Sequence, residues 1–386
     1  MSWASVTLGE VSTNIQTGPF GSQLHQSDYS DGGVPVVMPK DLVDGHISED
    51  SIARVSMSHV DRLSRHKIEV GDILYSRRGD VGRCAFATEV EQGWLCGTGC
   101  LRVTIDQSKA IPKFIFYQLQ KAETIGWVEK HAVGSTMLNL NTSILGSVPI
   151  ELPSMAEQQM IVHVLSAYDD LIENNQKQIK LLEEAAQRLY KEWFVDLRFP
   201  GHETTPIVDG VPEGWEKVEV GTCIAKVART KQVMTAELLE VGRIPVVDQS
   251  RSFVAGYTND EETIVDLGIP IIVFGDHTRV LKYIQFPFAK GADGTQLIVT
   301  NNEKMPQSLF YCSLVNVDLS NYHYARHFKY LKAEEILLPS LDVAHQFDGV
   351  VSPLFEQVQM LRDKCKLATE ARDRLLPKLM NGEIEV

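Results

Sequence analysis

The stretch LPSMAEQQMIVHVLSAYDDLIENNQKQIKLLEEAAQRLYKEW, Leu152 to Trp193, decides the architecture. After its Leu-Pro-Ser start comes a long run without proline, in which apolar or small residues fall at Ile161, Leu165, Tyr168, Ile172, Ile179, Leu182, Ala186, Leu189 and Trp193, with polar Asn175 in the same series. The steps alternate four and three, which is the heptad seam of a helix that keeps one stripe against a partner helix. A second Leu-Pro-Ser begins at Leu338, and behind it Phe347, Val351, Leu354, Val358, Leu361, Cys365, Ala368, Arg372, Leu375 and Leu379 repeat the series, each 186 positions later. Two seams in one register imply matched helices built to pack together, and helices separated by a whole domain pair most naturally antiparallel. Asn175 and Arg372 interrupt the seams. Polar groups at such positions cost stability while setting register or partner choice, and a wet or frayed stretch is the alternative. At 1.5 Å per residue, a helix of roughly 40 residues is about 60 Å long, a rod between globular bodies.

Outward from these helices the chain repeats itself weakly. Trp3 opens WASVTLGEV and Trp215 opens WEKVEVGTC; VPVV at Val34 is echoed by IPVV at Ile244, and PKFIFYQL at Pro112 by PQSLFYCS at Pro306. Phe199 to Glu213, FPGHETTPIVDGVPE, is a Pro/Gly-rich connector without periodicity. Short apolar runs punctuated by Gly, Pro, Asn and Asp (GVPVVMP, GDILYSRRGD, TGCLRVTI, IPIIVFGD, QLIVT) read as strands, and Phe114–Lys121 and Gln307–Leu314 as short helices. The expected fold is α+β with a pseudo-twofold repeat. Mixed α/β bodies at 1–152 and 199–338 alternate with long helices at 153–198 and 339–386 that form an antiparallel coiled coil.

Composition narrows the function. The chain has 386 residues, 44% of them hydrophobic, enough for two or three domains. Its 37 Lys+Arg against 51 Asp+Glu leave a net charge of −14, which argues against a nucleic-acid partner if read as a whole. The acidic excess is spread over all four segments while arginines cluster in particular loops, so a basic face beside acidic flanks remains compatible. No apolar run is long enough for a membrane span, and MSWASVTLGE lacks signal-peptide character, so a cytoplasmic protein with no membrane partner is expected. Cys84, Cys96, Cys100, Cys223, Cys312 and Cys365 form no C-x-x-C pair and read as reduced core thiols. A phosphate loop, a dinucleotide-binding glycine fingerprint, an amino-methyltransferase N/D-P-P-Y/F, an E-x-K nuclease element, G-x-S-x-G and H-E-x-x-H are all missing. YHYARHF, around His323 and His327, reads as a packed or surface aromatic segment, not a metal site. No catalytic or metal-ligating residue is assigned, and the chain is expected to bind and not to react.

The binding candidates are loops of small residues with embedded donors. TGPFGS (Thr17, Gly18, Phe20, Gly21, Ser22) lets backbone approach a phosphate or base. SRRGDVGR places Arg77, Arg78 and Gly79 at a strand end, where the guanidinium fork suits guanine O6 and N7 or a phosphate; a solvated arginine pair held by Asp72 or Asp80 is the alternative. GSTMLNLN offers Ser135, Thr136, Asn139 and Asn141. The second half has analogues in other letters: FGDHTR with Asp276, His277, Thr278 and Arg279, and KGADGTQ with Lys290, Gly294 and Thr295. Loops that keep position but change donors suit two reading heads for different sequences. Arg77, Arg78, Asp276, His277 and Arg279 are expected at bases, and Ser135, Thr136, Lys290 and Thr295 at phosphates.

The order of these elements, with the L-P-S helices, TGPFGS, SRRGDVG, GST..LN, FGDHTR and the EGW that opens the second half, resembles the specificity (S) subunit of type I restriction-modification systems over essentially the whole chain. The resemblance implies two target recognition domains that each read one part of a split double-stranded DNA target. The helices would space them and dock methyltransferase subunits, two in number, which recruit restriction subunits. It implies no catalytic residue and no cofactor in this chain; S-adenosylmethionine, magnesium and ATP would sit on the partners. The second half lacks an R-R-G, which separates its reading residues from those of the first. Rival readings are a protein-protein scaffold with a coiled-coil spacer, and the specificity portion of a single-protein restriction enzyme; the latter is disfavoured by where the chain starts and ends.

Overall fold

The computed structural model describes residues 3–134, 138–228, 230–292, 294–322 and 326–384. Two compact units divide the chain, one of residues 1–172 with 367–386 and one of residues 173–366. Long helices span Met155–Tyr190 and Leu341–Met380, and a π-helical turn, Lys191–Val195, continues the first. The first helix opens on a reciprocal cap: the Ser154 N–H donates to the Glu157 carboxylate at 2.9 Å, and the Glu157 N–H donates to Ser154 Oγ at 3.3 Å. Both donors would otherwise be orphaned in the first turn.

None of the twenty seam positions is exposed. Within the second unit the helices run antiparallel, since Glu183 meets Arg362 at 2.6 Å while the Tyr190 ring lies 6.3 Å from that of Phe347, so residue numbers rise on one helix as they fall on the other. The polar interruptions are packed rather than frayed. Asn175 is buried against the Cys365 thiol in the second unit. In the first, Arg372 Nη1 donates to Asp169 Oδ1 at 3.0 Å, and the same carboxylate accepts the Tyr117 hydroxyl and has Lys113 Nζ at 3.6 Å. The second unit solves the same seat with apolar groups. Phe355 stands 186 positions after Asp169 and packs its ring 5.5 Å from Tyr311, the tyrosine of the second Phe-Tyr pair, while buried Ala186 is the counterpart of Arg372.

The repeat read in the sequence has a strand register behind it. Ala4–Thr7 pairs antiparallel with Pro149–Leu152, matching Ala4 to Leu152; Glu216–Glu219 pairs with Glu335–Leu338, matching Glu216 to Leu338. Each tryptophan-led strand thus anchors the strand that launches a long helix. VPVV (Val34–Val37) lies parallel to Leu95–Cys96, and IPVV (Ile244–Val247) lies parallel to Phe288–Lys290. A second sheet in the first unit runs Ser12–Thr17, Cys100–Ile105, Ile73–Ser76, Cys84–Phe86; its counterpart runs Thr295–Ile298, Ile271–Gly275, Leu281–Ile284. The helices Pro112–Leu119 and Gln307–Val315 cover them, with Phe114 and Phe310 fully buried. The first core also takes in Ile161, Leu165, Leu376 and Leu379, so it is closed by stretches from both long helices.

Leu165→Ala is expected to lower the unfolding free energy by about 2–5 kcal/mol, because it opens a cavity at a fully buried wall. Asp169→Ala is expected to destabilise as well, since it leaves Lys113 without its counter-charge and Arg372 with its sequence neighbour Asp373 alone. Leu171→Ala, on an exposed face, should leave the urea midpoint in place and serves as the control.

Candidate nucleic-acid interface

In the first unit the sheet register brings three loops to one edge. Thr17 pairs with Leu101 and Ser76 with Cys100, so the loop after Thr17, the loop after Ser76 and the loop before Cys100 meet. The Gly18 N–H donates to Cys100 O at 2.9 Å, the Arg77 N–H to Gly99 O at 2.8 Å, and Thr98 Oγ1 to Pro19 O at 2.9 Å. Gly18 is required there, since a Cβ would stand 2.0 Å from the Gly97 carbonyl oxygen. A fourth segment closes the cluster: the Leu140 N–H donates to Arg77 O at 2.8 Å and the Gly79 N–H to Leu138 O at 3.1 Å, with Asn139 bridged to Arg78. Ser135 and Thr136 lie outside the described residues.

The side chains at this edge are poised outward. Phe20 is 57% exposed, and Gly21, Ser22, Arg78 and Gly79 are exposed too. Neither Arg77 nor Arg78 joins an ion pair among the described residues, because Asp80 holds Arg83 at 2.7 Å and buried Asp72 lies 3.5 Å from Arg102. The solvated-pair alternative for the two arginines therefore loses both of its partners.

The second unit repeats the frame. Gly275 pairs with Thr295, the Asp276 N–H donates to Gly294 O at 2.7 Å, and the Gly291 N–H to Val247 O at 2.8 Å, where the first unit has Gly97 N–H donating to Val37 O at 2.9 Å. Asp276, His277, Lys290, Gly294 and Thr295 converge on one open depression of about 400 Å³, together with Gln232, Gln296 and Arg326. Exposure differs sharply among them. His277 faces solvent, but Asp276 is 4% exposed, its Oδ1 accepting the Phe328 N–H at 2.8 Å, and Thr295 is 2% exposed. Thr278 Oγ1 donates to Gln249 O at 2.6 Å. Arg279, with φ of 61°, turns its guanidinium onto its own unit, donating to Leu319 O at 3.1 Å, Tyr322 O at 3.4 Å and His327 Nε2 at 3.3 Å. Burial, reinforced by the Arg279 charge, pushes the His327 pKa below the usual histidine value, which keeps the ring neutral and Nε2 able to accept. Buried Asp276 is thus a strut of the turn, and Arg279, although exposed, spends its guanidinium on acceptors of its own unit, while His277 and Thr278 face solvent. His323 lies outside the described residues.

Sequence reasoning missed Cys96–Gly99 as part of the first cluster, and Gln232, Gln249 and Arg326 in the second. The glycines of CGTG stand before a strand as those of KGADG do, a signal that alignment of the halves exposes; Gln232 and Gln249 have none, since only folding brings them to the second cluster. Among the described residues there is no cluster of three or more His, Cys, Asp or Glu fit to hold a metal, and no helix is long and apolar enough to cross a membrane.

Comparison with known proteins places this architecture. Residues 1–184 match the model of the type I restriction modification DNA specificity domain. The chain is 27% identical to the MjaIX type I restriction enzyme specificity subunit of Methanocaldococcus jannaschii, covering 93% of this chain and 88% of that protein. It is 22% identical to the HindI specificity subunit of Haemophilus influenzae, covering 99% of each. The crystal structure of the type I restriction-modification S subunit from M. genitalium shares the fold, with a TM-score of 0.59 at 17% identity over 98% of this chain and 96% of that one.

Gly18→Ala is expected to destabilise the first unit by about 1–3 kcal/mol, because the new methyl must displace the Gly97 backbone. Gly21→Ala, with open space around it, should be neutral in the same thermal melt.

Proposed function

We propose that the chain belongs to the specificity-subunit family of type I restriction-modification systems, and that its own residues carry the family's task. It is the DNA sequence-specificity subunit of such a complex, and it reads a bipartite target with one recognition domain per half-site. The observation that carries the residue assignment is the pair of loop clusters built on one backbone frame with different side chains. In the first, Arg77 and Arg78 read bases beside Phe20 and Asn139, while the amides and hydroxyls of Thr17–Ser22 and the Ser135–Thr136 loop meet phosphates. In the second, His277 reads bases with Gln232, Gln296 and Arg326, and Lys290 meets a phosphate at the rim of the depression. Asp276, Gly294 and Thr295 shape that rim, and Thr278 and Arg279 brace the turn beside it.

The protein assembles with modification and restriction subunits. We place two modification subunits on it, contacting the long helices at 153–198 and 339–386 that separate recognition domains 1–152 and 199–338, with restriction subunits joining through them. It contributes recognition and no catalytic group; S-adenosylmethionine, magnesium and ATP belong to the partners, and the complex works in the cytoplasm. With a net charge of −14, the isolated chain grips DNA weakly and depends on the modification subunits for much of the phosphate contact.

Mapping adenine methylation in a host that carries the complex should return a two-part motif. Arg77→Ala with Arg78→Ala should weaken methylation through one half of that motif while leaving the melting temperature in place; unchanged specificity and affinity would remove the arginines from the reading set. Binding of the assembled complex to its motif should fall steeply with salt, whereas the isolated chain should bind weakly. Salt-independent or absent binding by the complex would favour a protein scaffold.

A further inference from the structure

Phe20 has no packing reason to be where it is. A singly exposed apolar side chain is ordinary on a surface, but Phe20, 57% exposed, stands on a backbone held on both sides. Gly18 is wedged against Gly97, Pro19 is buried with its carbonyl accepting from Thr98, the Phe20 N–H donates to Gln23 Oε1 at 3.2 Å, and Phe20 O accepts the Gln23 N–H at 2.8 Å. The ring is therefore held out and not merely left out.

Beside it, the Arg77 guanidinium carbon sits 5.9 Å from the ring centroid, within cation–π range. Arg77 is clamped on both sides of its backbone, by Gly99 O and by the Leu140 N–H. Its Nε is shielded from solvent without a hydrogen-bond partner, and its side chain makes no hydrogen bond or ion pair among the described residues. The terminal NH₂ groups are then the donors an incoming partner can meet, on a guanidinium whose direction is already limited by the ring. A phosphate contact would not need an exposed aromatic beside the cation, since the ring would face a charged backbone. A base-pair edge suits both groups at once, because arginine's fork matches guanine O6 and N7 while phenylalanine suits the thymine methyl. The corresponding position of the second unit holds buried Asp276 instead, so the second half-site is not read this way.

We propose that Phe20 and Arg77 form the specificity-determining pair of the first recognition domain, Arg77 taking a guanine and the Phe20 ring the methyl group of a neighbouring thymine in the major groove. This rests on the DNA-reading role given above.

The test uses the complex of this chain with its modification subunits and a duplex carrying the motif mapped for the unaltered protein. Replacing the guanine of the first half-site by 7-deazaguanine removes N7, and replacing the thymine by uracil removes only the methyl. The unaltered complex should lose about tenfold in affinity on the first change and a few-fold on the second. Arg77→Ala should be insensitive to 7-deazaguanine, and Phe20→Ala should be insensitive to uracil with an unchanged melting temperature. Phe20→Leu should keep part of the uracil effect. Equal affinity for every 7-deazaguanine and uracil substitution in that half-site would overturn the pair while leaving sequence-specific binding intact. Absence of sequence-specific binding by the unaltered complex would overturn the DNA-reading role itself, and this pair with it.

Discussion

The antiparallel seam between the two long helices is the constraint on which the rest depends. Because the helices run in opposite senses, each compact unit must contain the beginning of one and the end of the other. The first core is closed by Ile161 and Leu165 together with Leu376 and Leu379, residues separated by nearly the whole second half of the sequence. Cooperative folding of the first unit therefore waits on the far end of the chain, a long-range closure that the apolar burial must outweigh. The Asp169, Arg372, Tyr117 and Lys113 cluster and its apolar counterpart of Phe355, Ala186 and Tyr311 show two solutions to one seat. A charge cluster placed against the apolar seat would lose its partners, so these contacts tie each globular body to its own helix ends.

Both candidate interfaces use backbone to set geometry and side chains to set content. Hydrogen bonds from Arg77 and Asp276 to the carbonyls of Gly99 and Gly294, and from Gly97 and Gly291 to those of Val37 and Val247, make the same frame in both units. Backbone bonds are indifferent to which side chains the loop carries. The frame can thus hold Arg77 and Phe20 in one unit and His277 beside a polar depression in the other. Glycine appears where two loops touch through their backbones, as at Gly18 against Gly97.

Much of this was legible in the letters. The alternating four-and-three spacing predicted both helices and their shared seam, since burial of a stripe leaves a periodic record in composition. The echoes of Trp3 and Trp215, of VPVV and IPVV, and of the two Phe-Tyr pairs correspond to paired strands and covering helices at equivalent places. Arg77, Phe20 and Asn139 were legible as candidates from their small-residue loops, and the fold brings them together. Asp276 and Arg279 looked like readers by residue type, but folding turned one to the Phe328 amide and the other to the carbonyls of Leu319 and Tyr322.

By itself the sequence determined the two matched helices, their register, the duplicated plan of the bodies and the loops that carry donors, because each is encoded in local pattern. Only the tertiary structure decided which donors face outward, that Gln232, Gln296 and Arg326 share a depression with His277, and that Asp169 finds its counter-charge on the opposite helix. Those outcomes depend on contacts between residues far apart in the chain, and a residue's type states what it can bind but not what folding places within its reach.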